Sequence, residues 1–271
     1  MCNQKELKAA SAILAKAKSF GASLAGFAAV ENLKQAPSFA FAPRTGDAAE
    51  GGGACGSDSN VAQGASLWPE GARSVLVIAV AHPAERPELD WWLGHRDPPG
   101  NRILAAIVGR LCRWIEESGD IQTVHLPYHV EKGGTYLKDA AVLAGLGCIG
   151  RSNLLVTPEY GPRVRLRGLT LDVHLPQSGP IRFDPCRQCD DRCRRACPQN
   201  AFSHPLVTVD PFSRRALPAR TGAYVRAACN RQMELDIAAA GEETLAGFEN
   251  PVKIIRYCRS CELVCPAGKG V

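Results

Sequence analysis

Three segments of the chain place apolar residues at helical spacing. In NRILAAIVGRLCRWIEESG, the side chains of Ile103, Ile107, Leu111 and Ile115 recur every four positions and would share one helix face. Each segment is followed by a glycine, which permits the left-handed conformation that ends many helices. The pattern predicts helices over residues 4–21, 101–119 and 136–147.

Other segments carry the shorter apolar runs that are typical of strands. SVLVIAVA, residues 74–81, is apolar almost throughout, which predicts a central strand buried on both faces. Residues 35–72 are rich in Gly, Ala, Ser and Asp and indicate a long loop. Further strands are expected at residues 23–30, 121–128 and 166–175.

The order of these helices and strands predicts an α/β domain over residues 1–178. From Pro185 onward the character of the chain changes, because cysteine, arginine and proline dominate and the hydrophobic periodicity fades. We therefore expect a second, smaller domain over residues 179–271, with a core that is inorganic rather than apolar.

Composition and net charge exclude few classes of protein. Hydrophobic residues make up 45% of the chain and charged residues 22%, as in ordinary globular proteins. The net charge of +5 permits an acidic partner, but a solvated basic surface explains it equally well. No apolar run approaches the ~20 residues of a membrane span, and SFGASLAGFAAV fits a helix end and a strand better than a signal peptide. We predict a cytoplasmic protein with no membrane partner.

The cysteines carry the strongest chemical signal. Eight of the twelve lie in the predicted second domain, mostly in the two runs CRQCDDRCRRACP (residues 186–198) and CRSCELVCP (residues 258–266). Thiolates suit iron–sulfur clusters and zinc. Zinc sites usually present separated pairs of ligands, whereas three or four cysteines in one run, ending in Cys-Pro, are typical of bacterial two-cluster ferredoxins. Two 4Fe–4S clusters are therefore the favoured interpretation, with zinc as the alternative.

In such ferredoxins the last cysteine of each run binds the other cluster. This rule divides the eight cysteines into two sets with none left over. The first cysteine set is Cys186, Cys189, Cys193 and Cys265. The second cysteine set is Cys197, Cys229, Cys258 and Cys261. The first run has one residue more than the usual spacing, which leaves the details of its wrapping open.

The four remaining cysteines have no such pattern. Cys112 lies within a predicted helix, where it is most simply a small buried apolar residue. Cys2 and Cys55 are assigned no role, and Cys148 belongs to a glycine-rich stretch.

That stretch, AGLGCIG, predicts a helix end, a turn and a following strand. Its glycines, Gly145, Gly147 and Gly150, would let the backbone approach a large flat ligand. A tight helix–strand turn without any ligand explains the same glycines.

The segment from Lys138 to Val173, together with the cysteine runs, resembles the epoxyqueuosine reductase family. The family pattern AGLGWIGKN-LLI matches AGLGCIGRSNLLV, and the similarity from Ala144 to Leu175 needs no gap. The spacing of the cysteines and of the lone Cys229 also follows the family. The resemblance covers residues 5–266, and reductive dehalogenases are more distant relatives.

The resemblance implies a nitroreductase-like α/β cofactor domain followed by a small ferredoxin-like domain with two 4Fe–4S clusters. It further implies cobalamin in the first domain, reduced through the clusters, and a substrate such as the modified base in tRNA that epoxyqueuosine reductase deoxygenates. A low-potential donor such as ferredoxin or flavodoxin would supply the electrons. The implied cofactor-binding residues are Gly145, Gly147, Cys148, Ile149, Gly150, Arg151, Ser152 and Asn153.

Glu131 in HVEKGG falls where the family has its proton-donating aspartate. A carboxylic acid near an apolar cofactor face has a raised pKa and could deliver a proton. A solvated or salt-bridged glutamate at a strand end is the alternative. His129 and Tyr136 are weaker candidates, and each is more simply structural.

The chain departs from the family at several positions. Cys148 replaces a tryptophan, Arg151 replaces a lysine, and Arg163 and Arg165 replace aromatic residues beside the expected pocket. We also expect no C-terminal helical repeats of the kind that help some members hold tRNA. These departures leave tRNA recognition and the substrate open.

Three functions remain in competition. The first is a cobalamin-dependent two-cluster reductase of a small molecule or modified base. The second is an electron-transfer protein that reduces a corrinoid on a partner protein. The third keeps the fold but holds a flavin, a cofactor that nitroreductase-like folds often carry.

Overall fold

The computed structural model describes residues 4–36, 68–94, 96–126, 136–203 and 224–268. The helices are α1 (Gln4–Ser19), α2 (Val30–Lys34), α3 (Pro99–Glu117), α4 (Leu137–Leu143), α5 (Arg192–Arg195), α6 (Arg226–Ala238) and α7 (Ser260–Leu263). The strands are β1 (Leu24–Ala29), β2 (Ser74–Ala81), β3 (Trp92–Leu93), β4 (Thr123–His125), β5 (Cys148–Ile149), β6 (Leu155–Val156), β7 (Val164–Leu171), β8 (Glu242–Glu243) and β9 (Val252–Ile255).

The main sheet has four antiparallel strands in the order β1-β2-β7-β4. β2 is central, as its apolar sequence predicts, and pairs with β7 along its whole length, from Ser74 opposite Leu171 to Ala81 opposite Val164. Every residue of β2 except Ala81 is buried.

Helices cover both faces of this sheet, which explains why β2 is continuously apolar. Leu76 and Ile78 pack on one side in a cluster with residues of α1 and α3. Val75 and Val77 point to the other side and pack with residues of α2 and α4. Continuously apolar strands like β2 are commonest in parallel sheets. The cause of the apolar sequence is the burial of both faces of the sheet, and not the direction of the strands. The structure is thus a mixed α/β fold.

The predicted elements are present with shifted ends. The helix expected at 101–119 begins two residues earlier, at Pro99, because proline is well tolerated in the first turn of a helix. The helix expected at 136–147 ends at Leu143, and Gly145 follows with a φ of +75°. The strand expected at 121–128 covers Thr123–His125, and residues 127–135 lie outside the described part.

A second, three-stranded sheet joins the N-terminal part of the chain to the C-terminal part. β9 pairs with β3 on one side and with β8 on the other. β3 therefore binds a strand that lies just before the second cysteine run. The boundary near residue 178 stays a prediction, but the two parts share backbone hydrogen bonds.

None of the described helices is long and apolar enough to cross a membrane.

Gly26 in β1 allows the close approach of the segment that leads into the AGLGCIG stretch. A Cβ atom at this position would overlap the carbonyl oxygen of Ala144, immediately after α4. The absence of a side chain at Gly26 therefore helps to set the distance between the main sheet and α4.

We expect Gly26→Ala to lower the free energy of unfolding by about 1–3 kcal/mol, because the added methyl group meets backbone that must move. Gly109→Ala in α3 is the matched control. A Cβ at Gly109 meets open space, so helix propensity should raise stability by about 0.5–1 kcal/mol. Urea unfolding of both variants checks the opposite signs, and equal effects would contradict the packing argument.

Candidate functional site

The structure brings the first cysteine set together. Cys186 and Cys189 lie in a turn, with the Cys189 N–H 3.3 Å from the Cys186 carbonyl oxygen, and Cys193 lies in α5. Cys265 reaches the same place from the second run. All four line one cavity of about 320 Å³, a volume that includes space open to solvent.

The thiols of this set are partly buried. Burial raises the pKa of Cys193 to about 11, and the neighbouring Cys186 and Cys265 raise it further. Burial also raises the pKa of Cys186, although a hydrogen bond from the Arg151 backbone N–H opposes this effect. The surroundings therefore favour the neutral form of Cys186 and Cys193, and thiolate ligation by these two residues would need the positive charge of bound metal.

The second cysteine set also assembles. Burial is the largest effect that raises the pKa of the Cys261 thiol, to about 12, and the neighbouring Cys258, Cys229 and Cys197 add to it. These four cysteines come from three segments of the chain, because Cys197 ends the first run, Cys229 lies in α6, and Cys258 and Cys261 belong to the second run. Such electrostatic influence requires that they lie near one another.

Hydrogen-bond donors are arranged around the cysteines. The N–H of Arg151 donates to Cys186 Sγ at 3.5 Å, and that of Ala201 donates to Cys197 Sγ at 3.3 Å. The buried Nε of Arg194, beside Cys193, has no hydrogen-bond partner within the described residues. Backbone N–H groups aimed at cysteine sulfur are typical of iron–sulfur sites, where they tune the reduction potential.

Within the described ranges, no three His, Cys, Asp or Glu side chains are close enough to hold one metal ion. A 4Fe–4S cluster holds its four thiolates on four different irons. The cysteine sets fit such a cluster, and their assignment to clusters stays a prediction.

The glycines of the stretch Gly145–Asn153, called here the glycine turn, make room for the protein's own atoms. A Cβ at Gly145 would meet the Ser178 carbonyl oxygen at 2.8 Å, and one at Gly147 would overlap the carbonyl of Val156. A Cβ at Gly150 would lie 3.3 Å from Cys186 Sγ. The tight-turn interpretation accounts for these glycines, and cofactor contacts at the turn stay a prediction.

The rest of the glycine turn is a buried junction. Cys148 and Ile149 form β5, which pairs with β6, and both side chains are buried. Burial raises the pKa of Cys148 to about 12, with Cys186 nearby, so Cys148 behaves as a packed apolar residue. Ser152 lines the cavity, and the Asn153 carbonyl oxygen accepts a hydrogen bond from Lys138 Nζ at 2.6 Å.

Arg151 links the glycine turn to the first run through its side chain as well as its backbone. Its Nη1 donates to the Cys189 carbonyl oxygen at 3.3 Å and pairs with Asp191 Oδ1 at 2.5 Å. The glycine turn therefore contacts the first cysteine set directly.

Arg163 contacts the second run directly, and Arg165 is linked to it through Asp90. Arg163 donates to the carbonyl oxygens of Cys265 at 3.4 Å and Ala267 at 2.9 Å. Arg165 pairs with the buried carboxylate of Asp90, which also pairs with Arg259 from the second run. Sequence reasoning expected both arginines beside a cofactor pocket and did not anticipate these contacts.

Asp90 is the centre of a group that we call the charged junction, comprising His82, Asp90, Arg165, Arg259 and Glu262. His82 Nδ1 lies 2.8 Å from Asp90 Oδ2, and Arg259 donates to the His82 carbonyl oxygen at 2.8 Å. Arg259 Nε also donates to Glu262 Oε1 at 3.0 Å. Arg259 and Glu262 flank Cys261, so the junction fixes the second run to the main sheet.

Burial by itself would raise the pKa of Asp90. The hydrogen bond with His82 and the charges of His82, Arg165 and Arg259 outweigh burial and hold this pKa below its usual value. The junction was not predicted from sequence, where no spacing connects His82 or Asp90 to the cysteine runs. The one available sequence signal is the opposite charge of Arg259, which precedes α7, and Glu262, three residues later.

The remaining residues that the sequence singled out have different positions. Glu131 and His129 fall outside the described residues, as do Cys2 and Cys55. Tyr136 is partly buried immediately before α4. Cys112 is buried among apolar residues of α3, which confirms its predicted packing role.

Proteins similar to this chain include epoxyqueuosine reductases and reductive dehalogenases. No protein-family model matches the chain. An epoxyqueuosine reductase of Gloeobacter violaceus is 31% identical over 204 residues, covering 72% of this chain and 56% of that protein. The chain is a relative of the epoxyqueuosine reductases. A tetrachloroethene reductive dehalogenase of Desulfitobacterium hafniense is 43% identical over 67 residues, covering 24% of this chain and 12% of that protein.

The fold agrees with this relationship. The solved epoxyqueuosine reductase of Streptococcus thermophilus has a TM-score of 0.62 and 21% identity, covering 96% of this chain and 66% of that one. The resemblance noted in the sequence is thereby confirmed. The chain spans about half the length of the curated epoxyqueuosine reductases that it matches.

We expect Asp90→Asn to lower the free energy of unfolding by about 3–5 kcal/mol at pH 7, because it leaves two partly buried arginines, Arg165 and Arg259, without their buried carboxylate. The lowered pKa means that the Asp90 carboxylate stabilises the fold above its unfolded pKa of about 3.9 and loses this effect as the pH falls through the folded value. The difference between wild type and variant should therefore shrink below about pH 3.9.

Thermal unfolding between pH 3 and pH 7 checks this prediction. Glu243→Gln is the control, because it breaks an exposed pair with Arg256 and should change the unfolding midpoint little. A difference between wild type and D90N that does not vary with pH would contradict the proposed role of the carboxylate.

Proposed function

We propose that the chain is a reductase that resembles epoxyqueuosine reductase. In this proposal residues 1–178 form a nitroreductase-like cofactor domain and residues 179–271 form a ferredoxin-like domain with two 4Fe–4S clusters. The observation that carries the proposal is the assembly of eight cysteines from scattered positions into the two crossed sets, the first of which adjoins the glycine turn.

The first cysteine set would hold one cluster and the second set the other. Cys265 and Cys197 each belong to one run but serve the cluster of the other, which brings the two clusters close together. The N–H groups of Arg151 and Ala201 would donate to the ligating sulfurs of Cys186 and Cys197. Bound clusters would supply one-electron transfer.

The cofactor beyond the clusters is proposed from the resemblance, which implies cobalamin, a group that supplies two-electron reduction when bound. The residues proposed to contact cobalamin are those of the glycine turn, and Glu131 is the proposed proton donor. The substrate is a small molecule or a modified base, with tRNA as one carrier of such a base. A ferredoxin or flavodoxin would provide the electrons.

A second function is an electron-transfer protein that reduces a corrinoid on a partner. One observation favours it: the glycines that were expected to admit a cofactor are packed against Ser178, Val156 and Cys186. A flavin-containing reductase is the third form of the proposal, since the fold type implied by the resemblance also carries flavin.

Absorption spectra separate these functions. We expect anaerobically prepared protein to show broad brown cluster absorption, and reconstitution with cobalamin to add corrinoid bands that stay with the protein on gel filtration. Cluster absorption that retains no added corrinoid would favour the electron-transfer protein. Bound flavin bands would overturn the cobalamin assignment, and protein without iron or sulfide after reconstitution would overturn the whole proposal.

The prediction that each cysteine run supplies ligands to both clusters can be tested separately. Cys265→Ser and Cys193→Ser should remove the same cluster, whereas Cys261→Ser, four residues from Cys265, should remove the other. Iron should fall from about eight to about four atoms per chain in each variant, and electron paramagnetic resonance of the reduced protein should identify the cluster that remains. Cys112→Ala is the control and should retain both. If C265S and C261S lose the same signal, the ligand sets are wrong.

A further inference from the structure

Arg163 differs from the other arginines near the cysteines. Its side chain is buried, with 6% of the residue exposed, and it precedes β7. Its guanidinium donates to the peptide oxygens of Cys265 and Ala267, on both sides of Pro266. Arg163 therefore lies against the last cysteine of the second run.

No carboxylate among the described residues pairs with Arg163. By contrast, Arg165 pairs with Asp90, and Arg151 pairs with Asp191. A guanidinium remains charged at any physiological pH, and burying a charge without a counter-ion is strongly unfavourable. Carbonyl oxygens satisfy its N–H groups but do not neutralise it. The structure thus holds a buried positive charge whose counter-ion is missing from the described side chains.

A negative group is expected at this place if the proposed function holds. Cys265 belongs to the first cysteine set, and a cluster with its four thiolates carries net negative charge. We propose that Arg163 is the countercharge of the cluster held by the first cysteine set and raises its reduction potential. This inference rests on the proposed function, because it requires that these cysteines ligate a cluster.

The direction of the effect follows from electrostatics. Reduction adds a negative charge to the cluster, so a nearby cation stabilises the reduced form more than the oxidised form. Because Arg163 is buried, water screens this interaction weakly. Arg187, between Cys186 and Cys189, carries the same charge but is exposed, so water and salt screen it. Arg187 is adjacent to two cysteines of the first set in sequence and Arg163 is hydrogen-bonded to a third, and the two arginines differ in burial.

Redox titration of the full chain, prepared without oxygen and followed by electron paramagnetic resonance, tests the proposal. We expect Arg163→Met to lower the midpoint potential of one cluster by at least 59 mV, a tenfold change in the one-electron equilibrium. The affected cluster should be the one lost in C193S. Arg163→Lys keeps the charge and should shift the potential less than half as far, and Arg187→Met should also shift it less than half as far.

Three results would overturn the proposal. One is an unchanged midpoint potential in R163M. Another is an equal shift in R163M and R163K, which would indicate lost geometry rather than lost charge. The last is an equal shift of both clusters, which would indicate general repacking. Absence of clusters in the wild type would instead refute the proposed function, so the two failures are distinguishable by iron and sulfide content.

Loss of clusters in R163M is also informative. In that case Arg163→Gln is titrated instead of Arg163→Met, because a neutral amide can still donate to the Cys265 and Ala267 carbonyl oxygens. If R163M and R163Q both lose the cluster of the first cysteine set while R163K retains it, cluster content shows that a positive charge is required. This result would support the countercharge role. If R163K loses the same cluster as well, shape rather than charge is required and the proposal fails.

Discussion

The attachment of the second cysteine run to β7 is the constraint on which the rest of the site depends. Arg163 binds the end of this run through peptide oxygens, and Arg165 binds its start through Asp90 and Arg259. In the proposed ligation this single run serves both clusters. Its position relative to the sheet therefore decides where both clusters lie, and buried charges fix that position more rigidly than exposed ion pairs would.

The glycine turn completes the arrangement from the other side. Gly147 and Gly150 let β6 and Cys186 approach the turn, and Arg151 then reaches the first run through both its backbone and its side chain. The first cysteine set is thus enclosed between the turn and the second run. Enclosure disfavours free thiolates, as the raised pKa of Cys193 indicates, and favours metal that neutralises them.

Positions at which the chain departs from its relatives acquire a common explanation. The sequence suggested that Arg163 and Arg165 altered a substrate pocket, whereas Arg163 contacts the second run and Arg165 is joined to that run through Asp90 and Arg259. Cys148 in place of tryptophan is buried beside the first cysteine set. These departures therefore lie where the main sheet meets the cysteine runs, and in the proposed function they would bear on how electrons reach the cofactor as well as on what is reduced.

The sequence by itself determined the main helices and strands and predicted the chemistry of the cysteines. Hydrophobic periodicity identified β2 and α3, because burial of a strand or helix face leaves a regular pattern along the chain. Spacing alone divided the cysteines into sets. Only the tertiary structure decided what Gly145 faces and which carboxylate Arg165 meets. Those contacts join residues far apart in sequence, and a buried ion pair leaves no periodicity by which a single sequence could reveal it.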